Sequence, residues 1–293
     1  MVTDHGGQLA LPFPEVPTAS PQCQRWRGGR HSWRHAEPGT RFDARRYEVH
    51  PIEEAEAKAY VTAAHYSGSY PAARLRYGLY ERGRLVGAAV FGVPMGRRVL
   101  PSVLPSLVPA WESLELSRFV LDDVCPGNSE SWFLARCFEA LLGEGVRGVV
   151  SFADPVPRRR ADGTLVMPGH VGWIYQATNS VYTGRSTPRT VSLLPDGTVL
   201  NDRAKQKVRR QEPGHAYVEK SLIALGARVP RAGEDPRAWL VQALEDVGAR
   251  PFRHRGCHRY VFRLGRTRRE REAIELGRPA RPYPKRIDIG LAA

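Results

Sequence analysis

ELSRFVLDDVCPGNSESWFLARCF (residues 115–138), GVVSFADP (148–155) and GHVGWIYQATNSVYTG (169–184) spell strand, acidic turn, helix, strand, acidic turn, helix. Apolar runs mark strands at Leu114–Leu121 and Val146–Ala153, each ending in aspartate. Asn128 and Ser129 follow the first strand and are suited to cap a helix, because a side-chain oxygen accepts the free amide protons of a first turn. Within that helix Leu134, Cys137, Phe138 and Leu141 recur at i, i+3, i+4 and i+7, which buries one face. Ligands of open α/β sheets bind outside the carboxyl ends of strands, so the two acidic turns are where chemistry is expected.

Outward from this block the chain divides in three. Residues 1–45 carry five prolines up to Pro38 and the basic run QRWRGGRHSWRH, with too little apolar content to offset ordering entropy, and read as a disordered basic arm. Residues 46–200 hold strand YEVHPI, a helix through EEAEAKAYVTAAHY, and a hairpin turning at Glu81–Gly83. These precede a Pro-rich connection and the 115–184 block. Residues 201–293 read as a basic extension packing on that domain, with a helix at DPRAWLVQALEDVGA. Helix, hairpin, strand, helix, strand, helix, strand is the order of the acyl-CoA N-acyltransferase (GNAT) fold, an α/β fold whose mixed central sheet has splayed strands. Its usual Gly-rich loop cradles the cofactor pyrophosphate on helix amides. Here that loop reads Asp122-Asp123-Val124-Cys125-Pro126-Gly127-Asn128-Ser129-Glu130, with one glycine and three carboxylates. Anionic side chains beside a helix N-terminus repel a pyrophosphate, so acetyl-CoA is not the expected cofactor.

Composition points to the partner. Lys and Arg number 44 against 30 Asp and Glu, a formal net charge of +14, and such an excess favours a polyanion through counterion release. Four basic clusters stand out: Arg158, Arg159 and Arg160; Lys205, Lys207, Arg209 and Arg210; Arg266, Arg268, Arg269 and Arg271; Lys285 and Arg286. Each alone is an ordinary solvated face; together they suggest a surface for double-stranded DNA. Cys23, Cys125, Cys137 and Cys257 are scattered without CxxC spacing, which fits a reducing cytoplasm better than a zinc ribbon or disulfide framework. No apolar run approaches a membrane span, so no membrane partner is expected.

HYSGSYP (65–71), SRFVLDD with NSESWFLARCF (117–138), SFADP (151–155), GHVGWIYQATNSVYTG and the tail RYVF with PYPK resemble the phage Mom DNA-modification proteins in the same order over most of 50–290. The resemblance implies a GNAT-like fold. It also implies conversion of adenine in duplex DNA to N6-carbamoylmethyladenine, which protects phage DNA from host restriction, and iron in place of acetyl-CoA. On that basis His65 and Tyr66 are candidate iron ligands, and Asp154 is a candidate general base or metal ligand. Tyr66, Ser129 and Tyr80 are further candidates for the cleft. Asp154 also suits an Asp-Pro turn, and Ser129 a helix cap. His170, Asn179 and Tyr182 are possible pocket residues, with capping or core roles as the plainer alternatives. Two other functions remain open: a conventional acyltransferase acting on an amine, and an inactive DNA-binding protein. The group donor is not legible.

Overall fold

The computed structural model describes residues 23–27, 30–34, 41–167 and 169–285. Strands β1 (Cys23–Arg27) and β2 (Arg30–Arg34) pair as an antiparallel ribbon, so part of the stretch read as a disordered arm has regular structure. The rest of that arm, and Arg286, lie outside the described residues. Then follow β3 (Tyr47–Pro51), α1 (Glu54–Ala64), β4 (Leu75–Glu81), β5 (Arg84–Gly92), α2 (Val99–Val103), β6 (Ser113–Leu121), α3 (Ser129–Gly143) and β7 (Gly148–Ala153). A small hairpin, β8 (Arg158–Arg159) and β9 (Leu165–Met167), leads to α4 (Trp173–Ala177) and β10 (Val181–Arg185). Next come β11 (Arg189–Leu193), β12 (Val199–Leu200), α5 (Asp202–Arg210), α6 (His215–Ala224), α7 (Pro236–Asp246) and β13 (Arg250–His254). The chain closes with β14 (His258–Arg263) and α8 (Arg268–Glu272).

Seven strands form the central sheet in the order β10-β14-β7-β6-β5-β4-β3, antiparallel except for the β6–β7 pair. The expected hairpin is present, and its two turn residues, Arg82 and Gly83, both have positive φ, which matches the twist of the flanking strands. Helix α3 packs on one face through Phe133, Leu134, Cys137 and Leu141, against Leu114, Leu116 and Val149. The opposite face is covered by α1 through Val61, against Ala88 and Val90, and by α2 through Leu100 and Val103, beside Val150 and Val261. This is the mixed, splayed α/β sheet that the element order implies.

The boundary suggested near residue 200 does not hold. Strand β14 lies in the central sheet between β7 and β10, so the sheet is completed by residues read as an extension. What composition registered is an insertion between β10 and β14. Its three helices and the sheet β12-β11-β13 enclose a separate core built on Leu200, Val208, Leu222, Trp239 and Leu240. Its position follows from register: Arg185 pairs with His258, and His258 with Ala153. The insertion therefore leaves and re-enters the sheet at the carboxyl end of β7.

Strands β6 and β7 pair only from Ser113–Leu116 to Gly148–Ser151 and then separate. The loop after α1 is drawn over this gap. Arg74 N–H donates to the Phe91 carbonyl at 2.8 Å, and the Ala72 carbonyl sits so close to Gly92 that a β-carbon there would lie 2.2 Å from it. Gly92→Ala should lower the melting temperature by several degrees, reflecting a cost of about 1–3 kcal/mol for overpacking a buried site. A differential scanning fluorimetry trace unchanged from the parent would contradict this.

Candidate active site

The cleft forms where β6 and β7 part. Ser151 Oγ donates to the Leu116 carbonyl at 3.2 Å at the last paired position. The buried Tyr175 of α4 packs on Tyr260 with ring centroids 5.4 Å apart. Helix α4 is shorter than GHVGWIYQATN suggests, because Gly172 adopts φ 76° and breaks the segment before Trp173. His170 thus lies in the preceding loop, fixed by its own N–H donating to the Asp154 carbonyl at 2.8 Å.

Asp154, one residue past β7, is the most constrained group in the cleft. Its Oδ1 accepts from His254 Nε2 at 2.9 Å and from the Val156 amide at 3.0 Å, and Arg158 lies 3.6 Å from Oδ2. Burial raises its carboxyl, but the bond to His254, the adjoining positive charge and the Val156 amide outweigh this and hold it below the usual carboxylate range. His254 Nδ1 accepts from Gly256 N–H at 3.0 Å, so the neutral ring carries its proton on Nε2, directed at Asp154. Gly256 permits this turn: its φ is 93°, and a β-carbon would stand 2.0 Å from the Ser186 carbonyl. Arg158 Nε is buried without an acceptor of its own.

Tyr66 projects from the loop after α1 to meet this centre. The residue is 38% exposed as a whole, and its hydroxyl lies 3.4 Å from His170 Nε2. Burial raises the phenol's pKa, as do the charges of Tyr175 and Asp154, while Arg118 and Arg158 oppose them. Burial lowers His170, which Asp154 partly offsets. His65 is pushed down to about 3 by burial, with Arg118 and His170 adding to the shift, so it is neutral. It stacks near Tyr66, ring centroids 4.1 Å apart.

Two cleft residues were not singled out from sequence. A one-residue irregularity at Ser117 puts Glu115 and Arg118 on the same face of β6, opposite Gly92 and Val90. Arg118 donates to the Ser69 carbonyl and hydroxyl at 3.0 and 2.9 Å, pinning the loop that carries Tyr66. Burial pushes the Glu115 carboxyl up to about 7, with Arg118 opposing. Asp154 is thus held in its charged form, whereas burial favours the neutral form of Glu115.

The other expected residues lie elsewhere. Ser129 is fully buried, and its hydroxyl donates to the Pro126 carbonyl at 2.7 Å, so it presents nothing to the cleft. Neither it nor Asn128 makes the side-chain cap expected, because Asn128 is left-handed with φ 73°. Tyr80 lies on β4 with its ring against His50, away from Asp154. Tyr182 is a buried sheet residue bonded to His258 Nδ1 at 2.8 Å, and Asn179 takes a positive φ in the turn after α4.

His65 Nδ1 lies 2.9 Å from Ser67 Oγ and 3.1 Å from the Ser67 amide, so the ring is held by the turn that follows α1. Asp154, His254 and Cys257 also bring donor atoms within 4.8 Å of one another, but the His254 Nε2 proton faces Asp154, and burial pushes the Cys257 thiol up to about 12. Tyr66 and His170 meet through an oxygen and a nitrogen donor, next to the backbone of Asp154.

Of the basic clusters, Arg158–Arg160 follows Asp154 directly, with Arg159 and Arg160 exposed. Lys205, Lys207, Arg209 and Arg210 lie on α5 of the insertion, at the same end of the sheet. The Lys285 tail is held near α4, where Gln176 Nε2 donates to the Pro284 carbonyl. Arg268 and Arg269 do not join them. Helix α8 follows Arg263, which pairs with Gly148 at the opposite end of β7, about 20 Å away for six residues of strand. Arg268 is itself paired with Glu272 at 2.7 Å.

The sheet is thus a mixed α/β sheet whose one parallel pair, β6–β7, splays apart to open the cleft. The Mom protein family model matches residues 46–285, and the chain belongs to that family. Among solved structures it is similar to a polyamine N-acetyltransferase of Drosophila melanogaster (11% identity, 74% of this chain and 100% of that one, TM-score 0.36). It is also similar to the GNAT family N-acetyltransferase YhbS of Escherichia coli in complex with CoA (11% identity, 50% and 72%, TM-score 0.30). No curated protein sequence matches. Among the described residues no helix is long and apolar enough to cross a membrane.

The raised Glu115 carboxyl has a thermodynamic signature. Its folded pKa lies above the unfolded one, so its favourable contribution is complete below the unfolded value and is lost as pH rises through about 7. Glu115→Gln should therefore gain stability relative to the parent between pH 5 and 8, by at most about 3 kcal/mol. Parallel melting curves across that range would show that the carboxyl is not perturbed.

Proposed function

We propose that this protein modifies the exocyclic amino group of adenine in duplex DNA, in the Mom manner that yields N6-carbamoylmethyladenine and shields phage DNA from restriction. The observation that carries this reading is Asp154: an ionised carboxylate, oriented by His254, at the mouth of a cleft bordered by Arg158–Arg160 and the basic insertion. An adenine amino group inside a duplex is unreachable, so the base must be extruded at a cost of a few kcal/mol. Backbone contacts from the flanking basic residues would offset that cost.

With the base in the cleft, Asp154 Oδ2, the carboxylate oxygen that His254 does not take, would face the amino group. As the amino nitrogen forms its fourth bond it becomes strongly acidic, so a carboxylate of depressed pKa suffices to take the proton. Tyr66 and His170 border the same space and would orient the base. Iron, when bound, would be held by Tyr66, His170 and Asp154 and would supply Lewis-acid or one-electron chemistry.

The conventional acyltransferase reading is disfavoured at the turn before α3. There the Ser129 amide is spent on the Pro126 carbonyl at 3.3 Å, and Asp122 stands beside it, bonded by Tyr60 and near Arg84. Neither the amides nor the charge suit a pyrophosphate.

Asp154→Asn keeps the shape and removes the base. Nucleosides from plasmid DNA of cells producing this variant should show adenine modification reduced by at least about 10²-fold, with duplex binding retained. Full modification by the variant would show that Asp154 is not the base. Unmodified adenine with the intact protein would refute the function itself.

A further inference from the structure

The insertion between β10 and β14 contains a feature that the reaction does not require. Helices α5 and α6 are joined by four residues, Gln211–Gly214, and the turn is made sharply by left-handed Gln211 (φ 50°) and Gly214 (φ 86°). Helix α7 packs on both, burying Val208, Val218, Leu222, Trp239 and Leu240 in a core of the insertion's own. Two helices joined by a tight four-residue turn and braced by a third have the connectivity of a helix-turn-helix unit.

The outer surfaces of the two helices differ in chemistry. On α5, Arg203 is neutralised by Glu212 at 2.5 Å and Lys205 by Asp202 at 3.3 Å. Arg209 and Arg210, at its end, are exposed and have no acidic partner among the described residues. On α6, the exposed residues are Ala216, Tyr217, Lys220, Ser221 and Ala224. Their spacing of i, i+1, i+4, i+5 and i+8 places them on one face. That face is small-sided except for Lys220 and Tyr217, which is 58% exposed with Lys207 Nζ 5.6 Å from its ring centroid. Small residues let a helix approach closely, and one lysine, one serine and one tyrosine hydroxyl suffice to contact base edges.

We infer that the insertion is a DNA-reading module: α6 lies in the major groove beside the target adenine, and Arg209 and Arg210 grip the adjoining phosphates. The inference rests on the reading of duplex DNA as substrate. Its geometric support is separate, because Arg185 and His258 place the module at the carboxyl end of β7, and His254, the last residue of β13, reaches Asp154. Contacts at the 158–167 hairpin fix the orientation: Ala161 N–H donates to the Pro195 carbonyl at 2.7 Å. A duplex held by α6 would thus lie across the cleft mouth, and the bases that α6 touches would set which adenines are presented.

The test uses the full chain and a fluorescent duplex, with binding followed by anisotropy across salt concentrations. Arg209→Gln with Arg210→Gln should reduce the slope of log Kobs against log salt by about 1.8 for two lost phosphate contacts. Tyr217→Ala with Lys220→Ala should instead alter which sequences are enriched from a randomised duplex pool, with the slope changed by no more than about one. All four side chains are exposed, and circular dichroism would confirm that both variants fold. If the intact protein binds duplex while both variants keep its slope and sequence preference, the module assignment is overturned and the proposed function stands. Absence of duplex binding by the intact protein, or preference for RNA, would overturn both.

Discussion

The architecture depends on the separation of β6 from β7 after Leu116 and Ser151. A parallel pair that stops pairing exposes backbone groups on both strands, and these must be satisfied by something other than a neighbouring strand. Ser151 closes the last rung on the Leu116 carbonyl, Tyr175 enters from the α4 side, and Arg118 turns outward to hold the Ser69 loop. The Ser151 bond satisfies a carbonyl where the ladder ends, and Arg118 Nη1 does the same for the Ser117 carbonyl at 2.6 Å.

The electrostatic character of the cleft follows from this. Glu115 sits just before the strands part, where burial favours its neutral form. Asp154 sits just past the end of β7, where an imidazole donor, an amide and a guanidinium favour its charged form. The two carboxyls belong to neighbouring strands and differ because one precedes the opening and the other lies beyond it. His254 links this chemistry to the insertion, since the bond that orients Asp154 comes from the last residue of the insertion's own sheet. Displacement of the insertion would be felt at the Asp154 carboxylate without any change in the residues lining the cleft.

Much of this was legible in the chain. The apolar runs at 114–121 and 146–153 mark β6 and β7 because strands buried on both faces need not alternate, and α3 announces itself by its 3.6-residue period. Asp154 could be placed at a strand tip for the same reason, and Tyr66 after the first helix. The pairing of β14 between β7 and β10 was not legible: it joins residues about a hundred positions apart, and a local pattern carries no information on such partners. His254 and Cys257 were missed for that reason, although HRGCH (254–258) is dense in polar chemistry around a glycine. Ser129 misled because residue type shows what a side chain can do, whereas its hydrogen bond to Pro126 shows what it is already doing.

The ionisation of Asp154 is the claim on which the chemistry stands, and carboxyl carbon-13 NMR of protein labelled at aspartate measures it directly. The resonance assigned by its loss in Asp154→Asn should stay at the ionised position from pH 8 to pH 5 and move only below the ordinary aspartate range. In His254→Ala that midpoint should rise, because burial would then act with less opposition. A midpoint near neutrality in the intact protein, or one indifferent to loss of His254, would contradict the account.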